Sequence, residues 1–176
     1  MRLNQINGGT THEQVSPRRQ DRARLRALVL IDTQAGVEDP EVLPLFEAMT
    51  AGWEADGPSE DTLAYAAAAI LGPGADEDAW KDLWRSRPNH WARPVSHPLV
   101  TRDDITERLG EISCPVLVVH GEADASIPVE LAEVLVDRLP NARSLVLIPG
   151  AGHASNLTHS GLVNPPIRAF LDSIDG

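Results

Sequence analysis

Two short apolar runs rich in β-branched residues constrain the fold of this chain more than any other feature. Residues 116–119 and 145–148 each have the length of a buried strand and are bounded by turn residues. A polar residue follows each run, Asp124 after the first and His153 after the second, and a helical pattern separates the two. Parallel strands joined by helices carry their functional groups at the carboxyl ends of the strands. The pattern therefore predicts an α/β protein in which Asp124 and His153 lie at one edge of a parallel sheet.

The chain after residue 24 continues this alternation of strand and helix patterns. A third apolar run predicts a strand that ends at Asp32, and the three predicted parallel strands are 27–32, 115–120 and 144–148. Helices are predicted at 41–53, 61–71, 76–84, 101–110, 128–139 and 162–174. In the last of these, Pro165 and Pro166 are expected to confine the regular helix to the residues after them. Residues 87–100 contain three prolines and are predicted to form an extended connection.

These patterns predict three regions. Residues 1–24 form an irregular basic N-terminal segment; up to residue 26 the chain has six arginines against two acidic residues, a net charge of +4. Residues 25–37 and 87–176 form an α/β core. Residues 38–86 form a helical cap, and its three tryptophans are expected to pack within it or, alternatively, to line a substrate cavity.

Charge and composition exclude several classes of protein. The net charge of the whole chain is −11, whereas a nucleic-acid-binding surface needs basic residues. The chain has no apolar run of the about 18 residues that a membrane span requires, and its start lacks the apolar stretch of a signal peptide. Cys114 is the only cysteine, so no intramolecular disulfide can form, and it is expected to be buried and inert. We therefore expect a cytoplasmic protein without a metal or other cofactor.

Several short motifs follow one another in the second half of the chain. They are PVLVVHG at 115–121, Asp124 within GEADASIP, LPNA at 139–142, the Gly152–His153 dipeptide, and the Phe170–Leu171 pair. In their order and spacing these motifs resemble the C-terminal part of the α/β-hydrolase fold, and 27–32 resembles the strand that follows its nucleophile elbow. In detail the chain is similar to small esterases and enol-lactonases. The resemblance implies hydrolysis of a small carboxylic ester or lactone by a Ser-His-Asp mechanism, with a helical cap inserted in the fold.

Asp124 and His153 are the candidate catalytic residues. A histidine can take a proton from a serine hydroxyl and return it to a leaving group near neutral pH, and an aspartate beside it stabilises the imidazolium. Asp32 is the alternative acid because it also ends a predicted strand, although a role in a turn or cap is the competing interpretation. His120, at the end of the second strand, is expected to support the site or to belong to the core.

The nucleophile is missing from this pattern. The chain contains no G-x-S-x-G motif, which an α/β-hydrolase places on a strand-to-helix turn. The best counterpart, NQINGG at 4–9, has Ile6 where the serine should stand, and the hydroxyls of Thr10, Thr11 and Ser16 lack the elbow context. The pattern therefore predicts a truncated α/β-hydrolase fold without the half that bears the nucleophile elbow.

Two functions agree with this pattern. One is a hydrolase of the serine-esterase type that keeps the acid and the base in this chain. The other is a non-catalytic protein that binds a small ligand or takes part in an assembly. The strand at 27–32 would lack its neighbour on one side, so its bare edge predicts self-association of the isolated chain.

Overall fold

The computed structural model describes residues 25–175, and the predicted irregular segment 1–24 lies outside them. Three parallel strands form one sheet in the order β1-β2-β3. They are β1 (Leu28–Ile31), β2 (Val116–Gly121) and β3 (Ala142–Ile148). All three lie where the apolar runs predicted strands, to within two residues at each end. The α/β class and the parallel pairing are confirmed.

Alternation along the strands divides the apolar side chains between the two faces of the sheet. Side chains on one face, among them Leu30 and Val118, pack with Leu109 and Leu135. The other face, which includes Ile31, Leu117, Val119 and Ile148, packs with Val163 and Phe170 of the last helix. Every residue of β2 is buried, as expected for the central strand of a sheet covered by helices on both sides. Cys114, just before β2, is also buried, as predicted.

Helices connect and cover the strands. Between β1 and β2 lie α1 (Leu43–Asp56), α2 (Glu60–Ile70), α3 (Glu77–Arg85) and α4 (Ala92–Thr101), which we call the helical insertion. Between β2 and β3 lies α5 (Val129–Arg138), and after β3 come the short α6 (Ser155–Thr158) and the long α7 (Ser160–Asp175). Two 3-10 turns, Asn89–Trp91 and Thr106–Glu111, precede α4 and β2. Within residues 25–175 no helix has the length and apolar character needed to cross a bilayer.

The prediction of an extended connection at 87–100 is wrong, because most of this segment is helix α4. Pro94 lies in the first turn of α4, where a backbone N–H has no partner within the helix, so only Pro98 removes an internal hydrogen bond. Contacts with α1 offset that loss. Arg93 donates to the carboxylates of Glu47 and Glu54 at 3.0 and 2.7 Å. These contacts connect distant parts of the chain, so local pattern could not reveal them.

Two further boundaries differ from the prediction. Thr101 does not begin a helix but ends α4, and Asp104 instead accepts from the N–H of Thr106 at 2.8 Å at the start of a 3-10 turn. Helix α7 runs through Pro165 and Pro166 rather than beginning after them. Both prolines lie within its first two turns, and packing of Val163 and Phe170 against the sheet supports the helix on either side of them.

Candidate functional site

Asp124 is held in the loop between β2 and α5 by the loop's own backbone. Its Oδ1 accepts hydrogen bonds from the N–H groups of Ser126 and Ile127 at 2.8 and 2.9 Å. Such a turn forms because an aspartate side chain can accept from the backbone N–H groups two and three residues after it. The carboxylate is fully buried. With Oδ1 occupied by the backbone, Oδ2 is the oxygen that faces the rest of the site.

His153 lies in the loop that follows β3 and meets that oxygen. Its Nδ1 is 3.0 Å from Oδ2 of Asp124, while its side chain is 31% exposed. Gly150, which has a φ of +71°, turns the chain directly after the strand. A carboxylate can only accept, so Nδ1 carries a proton and Nε2 is left as the basic nitrogen of the neutral ring. The structure therefore brings together the two residues that the sequence predicted as a pair.

The surroundings of His153 act on the pKa of its imidazole in two opposing directions. Burial is the largest single influence and lowers the pKa of the imidazole, because it disfavours the charged form. The hydrogen bond and charge of Asp124, aided by the charges of Asp32 and Glu38, act in the opposite direction. Together these raise the pKa of His153 above its ordinary value of 6.5. The site thus stabilises the imidazolium, which is the form a general base takes after it accepts a proton.

The end of helix α2 is packed directly on the loops that carry the pair. Ile70 accepts from the N–H of Ala154 at 2.8 Å, and Ala69 accepts from the hydroxyl of Ser126 at 2.8 Å. Gly72, with a φ of +76°, lies so close to Gly152 that a Cβ on it would stand 2.5 Å from the Gly152 nitrogen. The helical insertion is therefore fixed to the loops of both Asp124 and His153.

Asp32 bonds the backbone near both members of the pair and makes no hydrogen bond with the imidazole. It is buried, and its backbone has a left-handed φ of +46° directly after β1. Its Oδ1 accepts from the N–H of Gly121, and its Oδ2 accepts from both the N–H and the hydroxyl of Ser155. Burial raises the pKa of Asp32, and the three hydrogen bonds only partly oppose this. Of the two acids considered from the sequence, it is Asp124 that the structure places against His153.

His120 is wholly buried and lies beside Asp124. Its Nε2 lies 2.8 Å from the carbonyl oxygen of Ile127 and 3.4 Å from Oδ2 of Asp124, while its Nδ1 has no hydrogen-bond partner among residues 25–175. This placement agrees with the expected core or supporting position. Asp32, His120 and Asp124 bring oxygen and nitrogen atoms within 4.8 Å of one another. Because backbone N–H groups already occupy both carboxylates, the group fits a hydrogen-bond network better than a metal centre.

Sequence reasoning missed two parts of this site. Ser155 was not singled out, although its N–H and hydroxyl both bond Asp32. The contact of Gly72 with Gly152 was also missed, and the only local signal was a pair of glycines one residue apart in each segment. The hydroxyls of Ser126 and Ser155 donate elsewhere, and no serine or threonine hydroxyl bonds His153 within the described residues.

The parallel sheet covered by helices, with an acid and a histidine after adjacent strands, defines an α/β-hydrolase fold. The family model described as TAP-like protein, from the α/β-hydrolase group, matches residues 79–174, more than half of the chain. This protein belongs to that family of α/β-hydrolases.

Known proteins of this group match the chain over different lengths. A non-heme haloperoxidase of Rhodococcus erythropolis is 34% identical over 106 residues, which are 57% of this chain and 38% of that protein. A thermophilic esterase from Thermogutta terrifontis, solved with malate bound, superposes with a TM-score of 0.79 at 25% identity, over 89% of this chain and 59% of that one. The enol-lactonase of Burkholderia xenovorans LB400 superposes with a TM-score of 0.70 at 18% identity, over 88% and 58%, and shows the fold alone. The chain thus spans less than two thirds of each of these relatives.

Proposed function

We propose that this chain supplies the acid and the base of a hydrolytic centre for small carboxylic esters or lactones. The observation that carries the proposal is the 3.0 Å contact between Nδ1 of His153 and the buried Oδ2 of Asp124. The likeness to a solved esterase at 25% identity supports the ester class. In this proposal a hydroxyl nucleophile gives its proton to Nε2 of His153 as it attacks the carbonyl carbon. The imidazolium, stabilised by Asp124, then returns that proton to the leaving oxygen.

The nucleophile is the part that this chain does not supply in a recognisable form. No G-x-S-x-G motif occurs among its 176 residues. We therefore expect p-nitrophenyl acetate to be hydrolysed at the same rate by the chain and by its His153→Ala variant, because loss of the nucleophile removes most of the rate enhancement. A rate that falls to background only in the variant would contradict this and would mean that a residue of this chain acts as nucleophile.

A chimera tests the acid and base directly. We would fuse residues 25–176 to the part of the Thermogutta terrifontis esterase that they do not match, which by family resemblance carries the nucleophile elbow. The proposal expects ester hydrolysis that falls by about 100-fold or more on His153→Ala, the usual contribution of a general base. Exposed His90, in a 3-10 turn of the helical insertion, provides the matched control, and His90→Ala should keep the parent rate. If a folded, active chimera keeps its rate of ester hydrolysis after His153→Ala, the proposal is refuted.

We propose that the helical insertion acts as a cap over this centre. The support is its attachment to the site, where the carbonyl oxygens of Ala69 and Ile70 accept from Ser126 and Ala154. We include α4 in this cap together with the predicted region 38–86, because α4 packs on α1 through Arg93 and through the 2.9 Å contact of Thr50 with Ser96. In this proposal a ligand passes beside the helical insertion to reach His153. The insertion would then limit the size of the ligands that can bind.

Assembly is a second candidate function, and the edge of β1 favours it. Leu28 and Asp32 donate their N–H groups to β2, so the alternate residues Val29 and Ile31 direct their peptide groups to the opposite side. No strand among residues 25–175 pairs with that side. Unpaired peptide groups on an apolar edge strand favour pairing with another chain.

We therefore expect dimers or larger species in sedimentation-velocity experiments. Val29→Pro removes a donor from the open edge while leaving the bonds to β2 in place, so it should shift the distribution toward monomer. A clean, concentration-independent monomer of the parent chain would contradict assembly through this edge.

A further inference from the structure

The backbone of Asp32 has an unusual conformation at a buried position. A left-handed φ of +46° disfavours any residue with a Cβ, although aspartate tolerates it better than most. Such a conformation persists where the surrounding contacts determine it, and Asp32 is only 5% exposed. The turn directs its carboxylate under the carboxyl ends of the strands, toward the loops that carry Asp124 and His153.

Each carboxylate oxygen of Asp32 accepts hydrogen bonds from one of those loops. Oδ1 accepts from the N–H of Gly121 at 2.9 Å, three residues before Asp124. Oδ2 accepts from the N–H of Ser155 at 2.9 Å and from its hydroxyl at 2.6 Å, two residues after His153. One buried carboxylate therefore connects the segment that carries the acid to the segment that carries the base.

We propose that Asp32 is a positioning residue that holds the His153 loop against the Asp124 loop. It acts through Gly121 and Ser155 and does not touch the imidazole. The two loops are closely packed where Gly121 meets the backbone of Ala151 and Gly152. A Cβ on Gly121 would lie 2.5 Å from the Gly152 oxygen. If the bonds of Asp32 to Gly121 and Ser155 were lost, the two loops could move apart at this contact. The effect on catalysis rests on the proposed function, whereas the positioning of the imidazole does not.

Aspartate suits this position better than its amide. Three donors, two N–H groups and one hydroxyl, point at the carboxylate, and both of its oxygens accept. In Asp32→Asn one of the oxygens becomes an NH₂ group, which must then face a backbone N–H of Gly121 or Ser155 as donor against donor. A buried, unsatisfied donor disfavours the closed arrangement, so one loop should move away.

The test reads the geometry of the pair by NMR and needs no substrate. In the full chain labelled with ¹⁵N, the Nδ1 proton of His153 bonded to Asp124 should give a low-field signal, assigned with His153→Ala. We expect Asp32→Asn to weaken or abolish this signal and to lower the pKa of His153. Asp124, Asp32 and Glu38 raise this pKa through their charges, so loss of the Asp32 charge lowers it directly and the Nδ1 signal is the readout that reports the position of the ring.

Two further variants separate positioning from general instability. Asp104→Asn changes an exposed aspartate that also accepts from a backbone N–H, and it should leave the His153 signals unchanged. Ser155→Ala keeps the carboxylate and removes a single bond, so it should weaken the Nδ1 signal in a chain that remains folded by circular dichroism. If Asp32→Asn folds and keeps the parent Nδ1 signal, the proposal is refuted. If Asp32→Asn does not fold, unchanged signals in Ser155→Ala refute it. An inactive chimera with these shifts intact would instead count against the proposed function.

Discussion

Gly72→Ala should destabilise the protein by about 3 kcal/mol or more, a large effect for the addition of one methyl group. Two costs add at this position. The φ of +76° is left-handed and costs about 1–2 kcal/mol for a residue with a Cβ. The new Cβ would also lie 2.5 Å from the nitrogen and 2.7 Å from the Cα of Gly152, and overpacking against backbone costs about 1–3 kcal/mol. Because Gly152 precedes His153, the strain would fall on the loop that carries this histidine.

Gly74→Ala is the matched control for this prediction. Gly74 has nearly the same conformation, with a φ of +80°, but nothing lies within 4 Å of the position its Cβ would take. Gly74→Ala should therefore lower the free energy of unfolding only by the cost of the left-handed φ, about 1–2 kcal/mol. Urea unfolding followed by circular dichroism would give both values. Equal losses at the two positions would mean that the contact between the insertion and the His153 loop contributes nothing to stability.

The sheet and the pairing of Asp124 with His153 could be predicted from the sequence because their signals are local. An apolar β-branched run bounded by turn residues identifies a buried strand without knowledge of its partners. Parallel strands then bring their carboxyl ends to one edge of the sheet, so the residues that follow two adjacent strands must lie near each other. Asp124 and His153 are 29 residues apart in the chain, yet this rule was enough to predict their contact.

The supports of the pair could not be predicted in the same way. Asp32 and Ser155 are 123 residues apart, and neither lies in a pattern that distinguishes a buried bond from an ordinary turn. Helix α4 was missed because proline content was weighed without the ion pairs from Arg93 to α1 that offset it. In both cases the deciding interaction is tertiary, and local propensity gives no information about it.

The second large effect is expected at Asp124, where two substitutions separate its two contributions. Asp124→Ala removes the acceptor for the N–H groups of Ser126 and Ile127 and also the charge beside His153. It should cost about 1–3 kcal/mol, chiefly because the partly buried N–H of Ile127 loses its acceptor, whereas the exposed N–H of Ser126 can bond water. Asp124→Asn keeps an oxygen for the two N–H groups and turns its NH₂ toward Nδ1. The ring would then accept at Nδ1 and carry its proton on Nε2, and the loop should remain folded at a smaller cost.

Asp124→Asn should also reverse the pH dependence that His153 contributes. In the parent chain the raised pKa of His153 means that its ion pair stabilises the fold fully below the ordinary value of 6.5. This contribution is lost as the pH rises through the higher folded value. Without the carboxylate, burial becomes the dominant influence, so the pKa of His153 should fall to or below 6.5.

The difference in the free energy of unfolding between parent and Asp124→Asn should therefore be largest near about pH 6 and shrink toward about pH 9. Urea unfolding at several pH values would measure it, with Asp104→Asn as a control that should follow the parent curve throughout. A difference that does not change with pH would mean that Asp124 holds its loop but does not stabilise the imidazolium, and the pair would then lack the electrostatic property that a general base requires.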